Sequence, residues 1–222
     1  MKLFRNLLVG LCIAILLVSA GIPLQTVTSR NNHDRFVRIP AELMGRVEES
    51  GIRSIFQQNY GSFEWLELDS TNLARLDSSS IPYQEALLAG QVRVNGYFFD
   101  PLIDGEPKLS AEVGHENESL GFRLVQFHGP VREDWLALLK SYQLKVLQYY
   151  PSNTFLVWGT TQQAQLAASL APVRWVGNFY PAYRLSSRLE KLEGIIRNIA
   201  VNFYNDGQIE TTLAQNTQLR GG

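Results

Sequence analysis

The chain has almost none of the residues on which thiol and imidazole chemistry depend. It holds one cysteine, Cys12, and three histidines, His33, His115 and His128, among 222 residues. Cys12 lies within the apolar run Leu7 to Val18, which follows Lys2 and Arg5 and ends at Val18-Ser-Ala20, with small residues where a signal peptidase reads. Residues 1–20 therefore read as a secretory signal peptide, and the chain as secreted or periplasmic. Removing the leader removes the only cysteine, which excludes disulfides, thiolate metal sites and a cysteine nucleophile. Cys12 is not placed at a lipidation-type cleavage point. A bilayer span needs about 20 apolar residues, and Pro23 and polar neighbours interrupt this run soon after Ala20, so no stable membrane anchor is expected.

An excess of one charge is also missing. Lys and Arg number 20 against 21 Asp and Glu, and the two signs are interspersed, so nucleic acid has no electrostatic footprint to meet. His33 falls in a polar stretch and His128 ends a strand-like run before a turn. His115 stands beside Glu112 and Glu116, but with no second imidazole near it the segment reads as a solvated loop rather than a metal site. Asp77-Ser-Ser-Ser80 and Trp158-Gly-Thr-Thr161 offer hydroxyls without a base at usable spacing. Glu64 and Glu67 alternate onto opposite faces of one strand, the wrong arrangement for paired acid–base work. No phosphate loop or dinucleotide fingerprint occurs. The residues supply no catalytic group, no metal site and no cofactor site.

What is present is core material, 45% apolar and 11% aromatic, in an orderly series of elements. From Gly121 to Ser186 the pattern reads strand, helix, strand, strand, helix, strand. Phe122 to Phe127 alternates. Val131, Trp135, Leu138, Leu139 and Tyr142 share one helical face. Leu144–Tyr150 and Thr154–Trp158 form a hairpin across Pro151-Ser-Asn153. Thr160 stands three residues before Gln163, the capping-box spacing, ahead of a small-residue helix, and Val173–Val176 closes the series. The same order fits the earlier chain: strand Phe36–Pro40, helix Ala41–Glu49, strand Ile52–Tyr60, strand Phe63–Leu68, a helix capped by Asp69, and Ile81-Pro-Tyr83. Tyr60-Gly-Ser-Phe63 falls where Tyr150-Pro-Ser-Asn153 falls, as an internal repeat requires. Gln91 to Phe99, with Asn95-Gly96 between β-formers, predicts a hairpin that extends the first sheet.

A β-α-β-β-α-β order with short connections has few right-handed, unknotted solutions, and the commonest is a ferredoxin-like antiparallel sheet with both helices on one face. The expected fold is α+β, as tandem ferredoxin-like modules with their other sheet faces left open. The expected boundaries are 1–20 leader, 21–34 linker, 35–103 first module with the extra hairpin, 104–119 linker, 120–186 second module, and 187–222 connector and start of a third. In a four-stranded module alternation places Arg123 or Leu124, and Arg174 or Trp175, on the open face; the pattern leaves the parity unfixed. Trp65, Trp135, Trp158 and Trp175 read mostly as core.

Leu124-Val-Gln-Phe-His-Gly-Pro130, Tyr149-Tyr-Pro151, Val173-Arg-Trp-Val-Gly177 and Tyr180-Pro-Ala-Tyr183 resemble the N-terminal, non-catalytic region of secreted bacterial subtilisin-like serine peptidases. The resemblance covers roughly the middle and later thirds of the chain. It implies a ferredoxin-like propeptide that acts as intramolecular chaperone and inhibitor. Its open sheet face would dock on a subtilisin-like catalytic domain lying in cis downstream, and the segment after the last strand would enter the active-site cleft. The contact residues that the resemblance implies are then Arg174, Trp175, Phe179, Tyr180, Pro181 and Tyr183. None of that family's catalytic motifs is present, so the chain would be a fragment of a peptidase precursor with no catalytic residue of its own. A further strand-like run from Ile195 departs from the family's layout. The alternatives are a stand-alone secreted repeat protein that binds peptides or proteins through open sheet faces, and a structural or adhesive surface protein.

Overall fold

Alternation of apolar and polar side chains organises the first half of the chain into a sheet with helices on one side. The computed structural model describes residues 35–109 and 119–185, together with Gly194, Phe203 and Tyr204. The leader, the 21–34 linker, His33, His115, most of the 104–119 linker and the start of a third module lie outside these residues. All the described residues belong to one compact unit, Asn32–Gly222. Among them no helix is long and apolar enough to cross a membrane.

β1 (Arg35–Pro40) ends at a proline, after which a 3-10 turn, Ala41–Leu43, leads into α1 (Met44–Glu49). β2 (Phe56–Asn59) and β3 (Phe63–Leu68) form a hairpin, α2 (Ser70–Ser78) follows, and β4 (Gln84–Glu85) returns to β1. The order across this sheet is β2-β3-β1-β4, antiparallel throughout. Asp69 starts α2 by accepting the Asn72 N–H at 2.7 Å, the capping its position predicts. β2 is shorter than the predicted Ile52–Tyr60, because Ile52 donates its N–H to the Val47 carbonyl at 3.3 Å and so serves to close α1. The closing strand lies just beyond the predicted Ile81–Tyr83, as Pro82 has no N–H to give to a ladder.

β5 (Val92–Val94) and β6 (Tyr97–Phe99) make a two-residue hairpin with Asn95 at φ 43° and Gly96 at φ 98°. Both are left-handed, as a type I′ turn demands. The second large sheet is built from β7 (Leu120–Phe127), β8 (Lys145–Tyr150), β9 (Thr154–Thr160) and β10 (Val173–Asn178), in the order β10-β7-β9-β8, again antiparallel. α3 (Glu133–Ser141) links β7 to β8, and α4 (Thr161–Ala168) links β9 to β10. Thr160 and Gln163 form the reciprocal capping box that their spacing predicts. The fold is α+β: among the described residues, four α-helices and three antiparallel sheets.

Each large sheet buries one face under its own helices. In the first, Val37, Ile39, Leu66 and Leu68 meet Val47 of α1 and Leu76 of α2. In the second, Val125, Phe127, Val157 and Val173 meet Trp135 and Leu139 of α3 and Ala167 of α4. Of the four tryptophans, Trp65 and Trp135 are buried, and Trp158 and Trp175 half-buried.

The helix-free face of the second sheet is not open. Leu124, Tyr150 and Leu156 on that face share a core with Val92, Val94 and Phe99 of the hairpin and with Phe179, Ala182 and Tyr183 from beyond β10. The hairpin therefore forms its own two-stranded sheet and packs on the second sheet, instead of extending the first as its position in the chain predicts. The physical reason is in its side chains. Val92, Val94 and Phe99 make one apolar face, which needs a surface to cover, and the Leu124 and Leu156 face supplies it.

Candidate functional site

The densest set of polar and charged side chains lies where the two halves meet. On the first sheet, Phe36, Trp65, Glu67 and Phe56 share the helix-free face, since β1 pairs Phe36 with Glu67 and β2 pairs Phe56 with Glu67. That face covers the end of the second module where β7 turns toward α3. The Trp65 indole N–H donates to the His128 carbonyl at 2.9 Å. Phe56 stacks on the His128 ring with centroids 4.6 Å apart and meets Trp135 edge-on at 6.0 Å. The Tyr60 hydroxyl donates to the Pro130 carbonyl.

Gly129 is required at this contact. A Cβ there would stand 2.8 Å from Cδ1 of Trp65, against the rigid ring. Gly129→Ala is expected to cost about 1–3 kcal/mol, the usual range for overpacking. Chemical denaturation followed by tryptophan fluorescence checks this, and the native emission should shift as Trp65 moves.

Burial pushes the Tyr60 phenol from its ordinary 10.0 up to about 12, with nearby Arg132 pulling the other way and Asp134 adding to the rise. The folded state thus favours the protonated phenol. Its contribution to stability is whole below pH 10.0 and is lost as the pH rises toward about 12. An ultraviolet tyrosinate titration should contain a late-ionising group that Tyr60→Phe removes; ionisation of Tyr60 with the exposed phenols would contradict its place in the junction.

At the centre of the junction is Arg174, whose side chain is 0% exposed. Its Nε–H donates to Glu67 Oε1 at 3.2 Å. Nη1 and Nη2 grip Asp100 with both oxygens, at 3.0 and 3.1 Å. Nη1 also donates to the Gly90 carbonyl and to Gln126 Oε1, each at 3.0 Å. The other oxygen of Glu67 meets His128 Nδ1, and Gln126 donates its amide N–H to the Gly90 carbonyl at 3.1 Å. The Phe36 ring lies under the guanidinium at 5.4 Å. Gly90 has no room for a side chain, since a Cβ would fall 2.3 Å from Asp100 Oδ2. One arginine thus ties together the first sheet through Glu67, the hairpin's exit through Asp100, and the second sheet through Gln126.

A bulge in β10 brings this about. Val173 pairs with Phe127 and Trp175 with Gln126, leaving Arg174 as the extra residue. Strict alternation would send Arg174 and Trp175 to opposite faces. Instead both lie on the helix-free side, Arg174 against Gln126 and Trp175 against Phe99, at 6.0 Å and nearly perpendicular.

The six residues read as partner contacts are mostly interior. Arg174, Phe179 and Tyr183 are buried, and Trp175, Tyr180 and Pro181 half-buried. Phe179 donates its N–H to the Phe122 carbonyl at 3.3 Å. Pro181 opens a 3-10 turn, Pro181–Arg184. Tyr183 sits against Tyr97 with centroids 4.9 Å apart, and its carbonyl accepts from the Asn95 amide. The segment after β10 is therefore not a free extended tail in this structure. It is clamped between its own sheet and the hairpin, because its aromatic side chains find an apolar face within the chain. Glu67, Asp100, Gln126 and His128 were absent from that reading. The available signal was a charge inside an apolar strand, as in Phe63-Glu-Trp-Leu-Glu-Leu68 and Val173-Arg-Trp-Val176.

The donors and acceptors of this cluster are directed at one another, so it acts as an electrostatic clasp that joins the two large sheets and the hairpin. Among the described residues no group of three or more His, Cys, Asp or Glu is set to hold a metal ion.

A protein family described as "Domain of unknown function (DUF8729)" matches residues 93–180. That span runs from the hairpin to the end of the second sheet, the elements that share one core. No curated protein and no solved structure matches the chain.

Proposed function

We propose that this chain is the non-catalytic N-terminal region of a secreted, subtilisin-like serine peptidase precursor, and that it serves as chaperone and inhibitor of a catalytic domain in cis. The observation that carries this reading is the shared topology of the two large sheets. Each has the order strand, helix, strand, strand, helix, strand, with its first and third strands central, an order that supports a ferredoxin-like reading of the kind the resemblance implies for that family's propeptides. The Leu124–Pro130, Tyr149–Pro151, Val173–Gly177 and Tyr180–Tyr183 motifs fall on or beside the strands of the second module, at positions that fit the same reading.

The mode of docking differs from the one the resemblance implies. The helix-free face of the second sheet is filled by the β5–β6 hairpin and by Phe179 to Tyr183. Contact with a catalytic domain therefore uses the outer surface of the two-module body, with the 178–183 segment kept on its own sheet. A body held rigid by the Arg174 clasp binds without ordering itself first, which raises affinity at a given contact area. A partner that binds only the folded catalytic domain stabilises it by mass action, and this is the physical content of assisted folding here.

The test is to add the intact chain in trans to the subtilisin-like catalytic domain encoded in cis, and to follow hydrolysis of a chromogenic peptide. Micromolar chain should slow the reaction in a saturable way. An unchanged rate, with the chain folded, contradicts inhibition.

A further inference from the structure

The helix-free face of the first sheet is covered by the second module only in part. At its other end Arg38, Pro40 and Phe63 line an open groove of about 240 Å³, completed by Ser62, Pro82, Tyr83 and Gln84. Its walls are two prolines and two aromatic rings. Its cation is Arg38, which is exposed and lies with Cζ 3.8 Å above the Phe63 ring. Stacking on the ring orients the guanidinium while leaving its edge donors free, a preorganisation that flexible lysines lack.

No carboxylate of the sheet is placed to neutralise this cation. Glu64 and Glu85 pair with Ile39 and Val37, on the helix-covered face. Both are already engaged, Glu64 by the amides of Gln57 and Asn59, and Glu85 by Arg35 at 3.2 Å. Glu67, on the same face as Arg38, is committed to Arg174 and His128. Among the described residues the Arg38 guanidinium has neither a hydrogen bond nor an ion pair.

We propose that this groove binds an acidic side chain of an extended peptide segment, with the carboxylate on Arg38 and a neighbouring apolar side chain against Tyr83 and the edge of the Phe63 ring, whose faces meet Arg38 and Tyr60. Three features fix the class of ligand. The unpaired guanidinium selects a planar anion that two N–H groups can grip together. Proline and ring walls suit an extended backbone, the recognition that aromatic grooves give to peptides. The volume falls below the roughly 300–1,000 Å³ of pockets that enclose a whole small molecule, so the groove admits one or two side chains. This inference does not depend on the partner being a peptidase.

The test uses the intact chain and blocked tetrapeptides that contain a glutamate followed by a leucine, compared with the same peptides carrying glutamine. Nitrogen–proton correlation spectra should show the Arg38 side chain and Phe63 backbone shifting with the glutamate peptide. The glutamine peptide should bind at least about tenfold more weakly, the factor expected for one charged hydrogen bond. Arg38→Gln, at an exposed position with circular dichroism as a check on folding, should bring the two peptides to the same weak affinity. Equal binding of both peptides to the native chain, no binding at millimolar peptide, or no effect of Arg38→Gln would overturn the proposal. An unblocked glutamine peptide that binds as well as the blocked glutamate one would also overturn it, since the groove would then read a chain end.

Discussion

Arg174→Ala is expected to lower the stability of the whole body by about 3–5 kcal/mol, the cost of breaking a buried ion pair from one side. The guanidinium is fully enclosed, Glu67 is 1% exposed and Asp100 8%. Alanine would leave two buried carboxylates with their cation removed, and would orphan Gln126 Oε1 as well. Urea unfolding followed by far-ultraviolet circular dichroism measures the loss. A companion variant separates charge from packing: replacing Arg174, Glu67 and Asp100 together by apolar residues of similar size should recover a large part of it, because no uncompensated charge then remains. If Arg174→Ala unfolds within about 0.5 kcal/mol of the native chain, as an ordinary surface substitution would, the clasp is not buried between the modules.

Phe179→Ala is expected to cost about 3–5 kcal/mol, the range for emptying a core aromatic site. The ring is 1% exposed and lies between Phe122, Tyr150 and Tyr183, at centroid distances of 6.1–6.2 Å. The same change in a free extended tail would cost next to nothing. Limited proteolysis supplies a second readout: cleavage between Asn178 and Leu185 should be slow in the native chain and fast in the variant. Ready cleavage of the native chain there, together with an unchanged unfolding midpoint, would return the segment to the role of a free tail.

The elements that depend on near neighbours were legible in the sequence. The Thr160 and Gln163 capping box, the Asp69 cap and the Asn95-Gly96 turn each rest on residues within a few positions of one another, and local hydrogen bonding decides them. The order of strands and helices in both halves followed from periodicity. What the sequence did not carry was where the faces go. Alternation fixes which residues share a face but not what covers it, so the hairpin's destination and the burial of Phe179 and Tyr183 were out of reach. The bulge at Arg174 defeats alternation outright, because one extra residue turns two neighbours to the same side. The clasp was legible only as an anomaly, a charge in each of two apolar strands whose partners lie 107 positions apart.

The proposed role of the body that the two large sheets form is to dock on a subtilisin-like catalytic domain and help it to fold. The most direct measurement is the recovery of peptidase activity after the catalytic domain, unfolded in guanidinium, is diluted into buffer with or without the intact chain. The account predicts faster and more complete recovery with the chain present, saturating with its concentration, and no such gain from the Arg174→Ala variant under conditions where that variant is unfolded. Recovery at the same rate and to the same extent in both samples, with the native chain folded, would contradict it.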